Sequence, residues 1–429
     1  MRIPRQGHAS VVLPGGDVLV TGGWSIYRES PTDSCEIYDV STGKWRYTSN
    51  MNSGRANHKL VLLHTGEVLA IGGYKNRSCE IFDPETEQWR WTDSLNTERN
   101  SFFTATLLSD GRVLVTGGFV GLSYPYEKSA EIYDPWLERW QFVDSMRYGR
   151  KGHTATLLMD GRVLVVGGSS VKRCELFDPN TGQWQLAAEL DSSRERHSDI
   201  LLPDGRVLVM GGRDRERRKW LSSCELYDPE NNSWQRVGDM FEGRISHYSL
   251  LLPNGRILVA GGSVNITWEL YDPENFQPVY LGSYPVVKEI PTMNLLPDGR
   301  ILSIGGRSWT DTTGIPLVFP TEMCEIYDPD LTGIIHDSPN LSARFQLFQN
   351  YPNPFNGETI IRYYVPLSSH VSLKIYDLLG REVDVLVDER HLPGFYQVRV
   401  SSFLLPSGTY FYVLRVNDQT TIRKMVVLK

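Results

Sequence analysis

The chain has 429 residues, and 40% of them are hydrophobic, which is enough apolar material for a large core and more than one domain. The formal net charge of -7 argues against a general nucleic-acid or membrane-surface binder. No stretch approaches the ~18 apolar residues of a transmembrane helix, so no membrane span is expected. The first ten residues lack the apolar segment of a signal peptide.

One pattern recurs seven times along most of the chain. Each unit has a Gly-Gly pair, then Glu-(Ile/Leu)-(Tyr/Phe)-Asp and usually a Trp. The pairs begin at Gly22, Gly72, Gly117, Gly167, Gly211, Gly261 and Gly305. A period of this length predicts stacked supersecondary units that cover one another's apolar faces.

The fourth unit shows the strands that the pattern predicts. Two apolar runs, residues 153–159 and 162–166, flank Asp160-Gly161, which predicts a hairpin with a type I′ turn. A third strand over 174–178 ends before Pro179, and a fourth contains Trp184. Because no segment has a 3.6-residue period, the region is predicted to be all-β. Seven such sheets, apolar on both faces, favour a closed radial array.

Gly-Gly, Tyr-Asp-Pro and Trp at these offsets resemble the kelch repeat, over residues 5–344. The resemblance implies a seven-bladed β-propeller, here placed at residues 1–344. It is weaker in units six and seven, where Pro278 and Ile334 replace the Trp. Met1 aligns with the end of a blade's last strand, so we expect the natural protein to continue upstream, with a signal peptide.

Residues 345–429 have a different composition and predict six short strands in a small immunoglobulin-like β-sandwich. Four pieces match a known family: residues 350–356 (Asn-Tyr-Pro-Asn-Pro-Phe-Asn), 376–383, 407–412 and 424–429. This tail resembles the type A C-terminal sorting domain of the type IX secretion system. The resemblance implies passage through the periplasm, contact of residues 345–429 with the type IX machinery, and a secreted or cell-surface location.

The repeated residues are expected to be structural rather than catalytic. The five cysteines, Cys35, Cys79, Cys174, Cys224 and Cys324, share the slot before the repeated Glu and are predicted to be free, buried thiols. An Arg and a His recur three residues apart in five units, as at Arg150 and His153, which favours a packing role. No metal ligand set, cofactor or catalytic residue is predicted from these residues.

Candidate ligand contacts lie in the loops between each Gly-Gly pair and the cysteine slot. These loops have 11 residues in units one, three and five, 5 in units two, four and six, and 17 in unit seven. Aromatic and basic side chains in the long loops suit sugar faces, carboxylated glycans or an acidic protein. The candidates are Trp24, Tyr27, Arg28, Tyr124, Tyr126, Arg218, Trp220, Arg307 and Trp309. The opposing interpretation is that these aromatics only pack the loops together.

The preferred function is therefore a secreted or surface binding module for a glycan or protein. The alternative is a carbohydrate-active enzyme, because copper-radical oxidases resembling galactose oxidase, and sugar mutarotases, also use kelch blades. Such an oxidase needs two imidazoles, two tyrosinates and a Cys coupled to a ring. Only His64 and His336 are non-repeated histidines in the propeller, which is weak support for copper.

Overall fold

The computed structural model describes residues 1–25, 30–120, 126–169, 171–262, 267–276, 278–283, 288–289, 291–309, 318–320, 324–327, 334–335, 346–347, 350, 353–365, 369–391, 394–416 and 419–428. They divide into two compact units, Met1–Tyr280 with Tyr284–Ile326, and Leu281–Ser283 with Tyr327–Lys429. The predicted domain boundary at 344/345 lies outside the described residues and stays a prediction.

Residues 9–335 contain seven four-stranded sheets whose strands follow the order of the chain. The first four are β1 (Ala9–Val12), β2 (Val18–Thr21), β3 (Cys35–Asp39), β4 (Lys44–Tyr47); β5 (Lys59–Leu62), β6 (Val68–Ile71), β7 (Cys79–Asp83), β8 (Gln88–Thr92); β9 (Thr104–Leu107), β10 (Val113–Thr116), β11 (Ala130–Asp134), β12 (Arg139–Val143); and β13 (Thr154–Leu157), β14 (Val163–Val166), β15 (Cys174–Asp178), β16 (Gln183–Ala187).

Two of the later sheets carry extra strands in a loop. The fifth sheet is β17 (Ser198–Leu201), β18 (Val207–Met210), β21 (Ser223–Asp228), β22 (Ser233–Asp239), with the hairpin β19 (Arg213–Asp214), β20 (Lys219–Trp220) inserted. The sixth is β23 (Tyr248–Leu251), β24 (Ile257–Ala260), β25 (Thr267–Tyr271), β26 (Pro278–Ser283). The seventh is β28 (Thr292–Leu295), β29 (Ile301–Ile304), β32 (Cys324–Tyr327), β33 (Ile334–Ile335); β27 (Lys288–Glu289), β30 (Arg307–Trp309) and β31 (Val318–Pro320) form a separate small sheet.

The first strands of the sheets lie around a common axis. Each contacts the next, from β1 through β5, β9, β13 and β17 to β23, and β28 contacts β1. Val18 and Val20 of the first sheet share an apolar cluster with Leu302 and Ile304 of the seventh, so the array closes on itself. This is a β-propeller. The count of seven complete blades stays a prediction. The outer strands of the sixth and seventh sheets, β26 and β33, border residues that the structure does not describe.

The repeat is explained by packing between adjacent sheets. The second strand of each sheet is buried along its whole length, as β14 is. The repeated Trp of the outer strand packs on the Tyr or Phe of the third strand, with ring centroids 5.1 Å apart for Tyr133 and Trp140. A side chain at Gly22 would lie 2.3 Å from the backbone oxygen of Arg55 in the next unit, which is why the pair is Gly-Gly.

The hairpins are confirmed, but the predicted turn type is wrong. Leu157 pairs with Val163, and the Leu158 and Arg162 backbones are also hydrogen-bonded, which leaves a three-residue loop. Only Gly161 has a positive φ, of 86°, whereas a type I′ turn needs two such residues. Asp160 instead accepts a hydrogen bond from the Arg162 backbone N–H. This favours a type I turn followed by a glycine in the left-handed conformation.

The described residues of the tail form seven strands, one more than the sequence predicted. They are β34 (Gln346–Leu347), β35 (Glu358–Val365) and β38 (Gly394–Ser401) in one sheet, and β37 (Glu382–His391), β36 (Ser369–Tyr376), β39 (Gly408–Val416) and β40 (Gln419–Val427) in the other; a 3-10 turn spans Ser402–Leu404. One apolar cluster fills this unit. Phe355 is bonded through its backbone to Val426 and Leu428, which joins the first and last family motifs of the tail.

Candidate functional site

One end of the propeller carries both the variable loops and the segments that lead into the first strands. We call this end the long-loop face. It includes the second-to-third-strand loops, because each follows a Gly-Gly pair, and the connections around each repeated Arg. In the first unit these two segments meet, since Gln6 and Trp24 exchange backbone hydrogen bonds. The variable residues of both segments therefore lie side by side.

A buried arginine fixes the base of these loops. Arg150 donates to the backbone oxygens of Gly167 and Arg173, at the two ends of its loop, and forms a 2.7 Å ion pair with Glu175. Five other buried pairs repeat this contact: Arg5–Glu36, Arg55–Glu80, Arg99–Glu131, Arg194–Glu225 and Arg244–Glu269. Loop length can vary between 5 and 11 residues because the clamp holds only the two ends.

The structural role predicted for the repeated Arg is thus confirmed in all five units that the sequence singled out. Two parts of the clamp were missed. Arg99 belongs to it although a buried Phe103 replaces the usual His, and the Glu of the repeat supplies the carboxylate. The signal was present, because a Glu follows every cysteine slot at a fixed offset.

The repeated histidines are also structural. His8, His58, His153, His197 and His247 are all buried. Burial, and then the charge of the neighbouring arginine, lowers the pKa of His8 and of His247 to about 3. These rings are therefore neutral near pH 7 and bond to hydroxyls of the preceding sheet, as His197 does to Thr154 at 3.1 Å.

The cysteines are free, and four of the five are buried, as predicted; Cys324 is half-buried. Burial raises the pKa of the Cys35, Cys174 and Cys224 thiols to about 12. At neutral pH they are protonated, and a protonated thiol is a poor nucleophile and metal ligand. The slot therefore serves packing.

The structure describes only part of the predicted contact set, and its role in binding stays a prediction. Tyr27, Arg28 and Tyr124 lie outside the described residues. Arg307 and Trp309 lie on β30, but only their backbone is described. Trp24 and Tyr126 are half-buried, and Trp220, which is 39% exposed, lies with Arg218 in the inserted hairpin of the fifth unit.

Trp24 contacts the next unit rather than standing alone. Its ring meets Tyr74 edge-on with centroids 5.1 Å apart, and the Lys75 ammonium lies 5.3 Å from the Tyr74 ring. An edge-on pair of this kind stabilises the loop base by about 0.5–1.5 kcal/mol. For Trp24 the packing interpretation is therefore partly correct.

A group of aromatic and basic side chains lies on the third to fifth units. The Lys151 ammonium is 4.7 Å from the Phe119 ring centroid and 4.8 Å from that of Tyr126. The Arg196 guanidinium lies 4.1 Å from the Phe102 ring centroid. We call these five residues the basic aromatic patch. Its Arg196 reaches a ring two units away, and a side chain at Gly152, in the unit between them, would lie 3.2 Å from the Arg196 Cγ atom.

The patch has an excess of positive charge. Burial, and then the charge of Arg215, lowers the pKa of the Lys151 ammonium. Arg196 acts in the same direction, and only Glu195 opposes it. Glu195 is itself paired with Arg215 at 2.6 Å. In a chain of net charge -7, this local surplus of cations on one face favours an anionic ligand.

The backbone holds the patch in place. Phe102, Arg196 and Ser246 have φ values of 57°, 53° and 55°, which non-glycine residues seldom adopt. Hydrogen bonds join these positions across adjacent sheets, from Gly152 to Phe102 at 2.9 Å, from Arg196 to Gly152 at 2.6 Å and from Ser246 to Arg196 at 2.8 Å. The same left-handed backbone and the same hydrogen bond recur at Gly7 and Asn57, so this frame is a feature of the whole ring and fixes where the patch residues lie.

Sequence reasoning missed Lys151 and Arg196. Both lie in the short stretch between a repeated Arg and a repeated His, and that stretch was interpreted only as scaffold. The two residues inside it vary, as Lys-Gly in unit four and Glu-Arg in unit five. This variation between a repeated Arg and a repeated His was the sequence signal that could have found Lys151 and Arg196.

Two family models match the chain. A kelch motif model matches residues 7–52, 103–147 and 201–241, and a secretion system C-terminal sorting domain model matches residues 349–428. No curated protein matches. Within the described residues no helix is long and apolar enough to cross a membrane.

A solved structure of a fungal alcohol oxidase of the AA5 family, in complex with copper, is similar to the chain. The TM-score is 0.63 at 15% identity, and the match covers 100% of this chain and 98% of that one. At this identity the likeness shows the fold alone. Among the described residues, no three His, Cys, Asp or Glu side chains converge as metal ligands.

Proposed function

We propose that this kelch-repeat β-propeller protein with a type IX sorting tail is a secreted or cell-surface binding module, and that its ligand is an anionic glycan. The sorting domain supports a secreted or surface location and contact with the type IX machinery. The signal peptide and the periplasmic route stay predictions.

The basic aromatic patch carries the proposal. Phe119 and Tyr126 offer ring faces suited to the C–H faces of a sugar, and Lys151 lies against both rings. Its three N–H donors suit a carboxylate or sulfate beside the stacked sugar. Arg196, held by its backbone, adds a planar guanidinium that matches a carboxylate in two-point geometry.

The alternative, a carbohydrate-active oxidase or mutarotase, draws support only from fold likeness. Fold alone does not determine activity. The residues of the basic aromatic patch suit the binding of an anion, because they present an ammonium, a guanidinium and ring faces rather than a paired acid and base. Binding is therefore the function that this face supports best.

An array of glycans and proteins tests the proposal. We expect the full chain to bind acidic polysaccharides and the Lys151→Met/Arg196→Gln variant to bind them at least about tenfold more weakly, a loss of about 1.4 kcal/mol. Lys44→Met is the matched control, because it removes an exposed lysine on the outer strand β4. Unchanged affinity in the double variant, or preference for neutral glycans or acidic proteins, would overturn the proposal.

A further inference from the structure

We call the first strand of each sheet the inner strand, and the space that these strands surround the central channel. The first residue of each inner strand lies at one level of this channel, next to the long-loop face. Each begins its strand in the same register, opposite the last residue of the second strand, as Lys59 opposite Ile71 and Tyr248 opposite Ala260. We call this set the upper tier. Its members are Ala9, Lys59, Thr104, Thr154, Ser198, Tyr248 and Thr292.

Four members of the upper tier are already bonded to a histidine of the next sheet. The pairs are Thr104–His153 (3.1 Å), Thr154–His197 (3.1 Å), Ser198–His247 (2.8 Å) and Thr292–His8 (3.0 Å). These hydroxyls close the gaps between adjacent sheets. Their hydrogen-bonding capacity is largely used within the scaffold.

Lys59 and Tyr248 have no histidine partner in the next sheet, and the sequence shows why. The unit after each of them has no histidine at the matching position, which is occupied by Phe103 and Pro291. Among the residues that the structure describes, neither the Lys59 ammonium nor the Tyr248 hydroxyl has a hydrogen bond or ion pair. Lys59 is exposed and Tyr248 is half-buried, so a ligand can reach both.

Both groups are accessible and yet enclosed by protein. Burial lowers the pKa of Lys59 and raises that of Tyr248 to about 12, with no charged neighbour contributing to either shift. After burial and Arg150, the charge of Lys59 is the next cause that lowers the pKa of His153, two sheets away.

The two groups lie on opposite sides of the channel. Strands β9, β13 and β17 separate β5 from β23 on one side, and β1 and β28 do so on the other. One residue deeper, the half-buried Asp199 accepts a hydrogen bond from the Thr156 hydroxyl. The channel thus offers a cation, a hydroxyl donor and a carboxyl acceptor within two levels.

We propose that the channel binds the carboxylate of a sugar acid between Lys59 and Tyr248, with Asp199 accepting a hydrogen bond from a ligand hydroxyl. A carboxylate supplies the negative counter-charge that the Lys59 ammonium lacks. The neighbouring hydroxyls of a sugar acid can donate a hydrogen bond to Asp199. The proposal deepens the proposed function and rests on it for the ligand class, but its binding residues lie outside the basic aromatic patch.

Calorimetric titration of the full chain with D-glucuronate tests the site, with D-glucose and N-acetyl-L-glutamate as comparison probes. We expect glucuronate to bind, Tyr248→Phe to weaken binding about tenfold, and Lys59→Met to abolish it, with Lys44→Met unchanged.

Several outcomes would overturn this site. They are no glucuronate binding at millimolar concentration, wild-type affinity in Lys59→Met, and equal binding of glucose. Equal binding of N-acetyl-L-glutamate would replace the sugar acid with an acidic peptide. The Lys151→Met/Arg196→Gln variant separates the two proposals, because it should lose polysaccharide binding and keep glucuronate binding.

Discussion

At the scale of single residues, the five buried histidines make the stability of the propeller depend on pH. Their folded-state pKa values are lowered, with His8 and His247 at about 3, whereas an unfolded His titrates near about 6.5. Below pH 6.5 the unfolded state binds protons that the folded state does not. Each ring therefore contributes stability that is full above about pH 6.5 and is lost as the pH falls towards about 3.

We expect the melting temperature to fall between pH 6.5 and pH 5, where most carboxylates hardly titrate. Each histidine lowers the free energy of unfolding by up to about 1.4 kcal/mol per pH unit. Scanning calorimetry measures this directly. His64→Gln is the control, because it removes an exposed histidine of a hairpin turn and leaves the five buried rings in place. A melting temperature that stays flat across this window would contradict the assignment.

The thiols give a second prediction at this scale. Because burial raises the pKa of Cys35, Cys174 and Cys224 to about 12, we expect none of them to react quickly with a thiol reagent at pH 8. The half-buried Cys324 should react first, and all five should react once the protein is denatured. Rapid labelling of Cys174 in the native protein, located by peptide mapping, would disprove a packing role for the slot.

At the scale of the element, the Arg–Glu clamp sets how each loop is attached. Arg150→Met leaves Glu175 buried and without its cation, so we expect a loss of about 3–5 kcal/mol. The Arg150→Met/Glu175→Met variant removes both charges and should be less destabilised than the single variant. Urea unfolding compares them, and Arg173→Met, an exposed arginine of the same unit, serves as the control. A double variant with a lower free energy of unfolding than Arg150→Met would contradict this account of the clamp.

The strands and hairpins were predictable because each is encoded locally. Apolar runs around Asp160-Gly161 located a hairpin, and the Trp at a fixed offset located the outer strand. The turn type was not predictable from that dipeptide, since the strand pairing decides how many residues the loop contains. The Arg–Glu clamp was missed for a similar reason, because its partners are 25 residues apart in Arg150 and Glu175.

At the scale of the whole molecule, the sequence predicted the propeller, whereas a ligand site on its long-loop face stays a prediction. Trp24 and Tyr126, which the sequence singled out, lie on the long-loop face, whereas Lys151 and Arg196 were not singled out. The ring brings together short segments from units three to five that are about 50 residues apart in the chain, so no local pattern reveals their meeting. The upper tier was hidden for the same reason, because Lys59 and Tyr248 become exceptional only when all inner strands are aligned.

The most direct test of the central claim compares an oligomer of galacturonic acid with its methyl ester, titrated calorimetrically into the full chain. The two ligands have the same sugar ring and differ in charge. We predict that the acid binds at least about tenfold more tightly, and that Lys151→Met/Arg196→Gln removes this difference. Equal affinity of the wild-type chain for the acid and the ester would contradict the assignment of the basic aromatic patch to an anionic glycan.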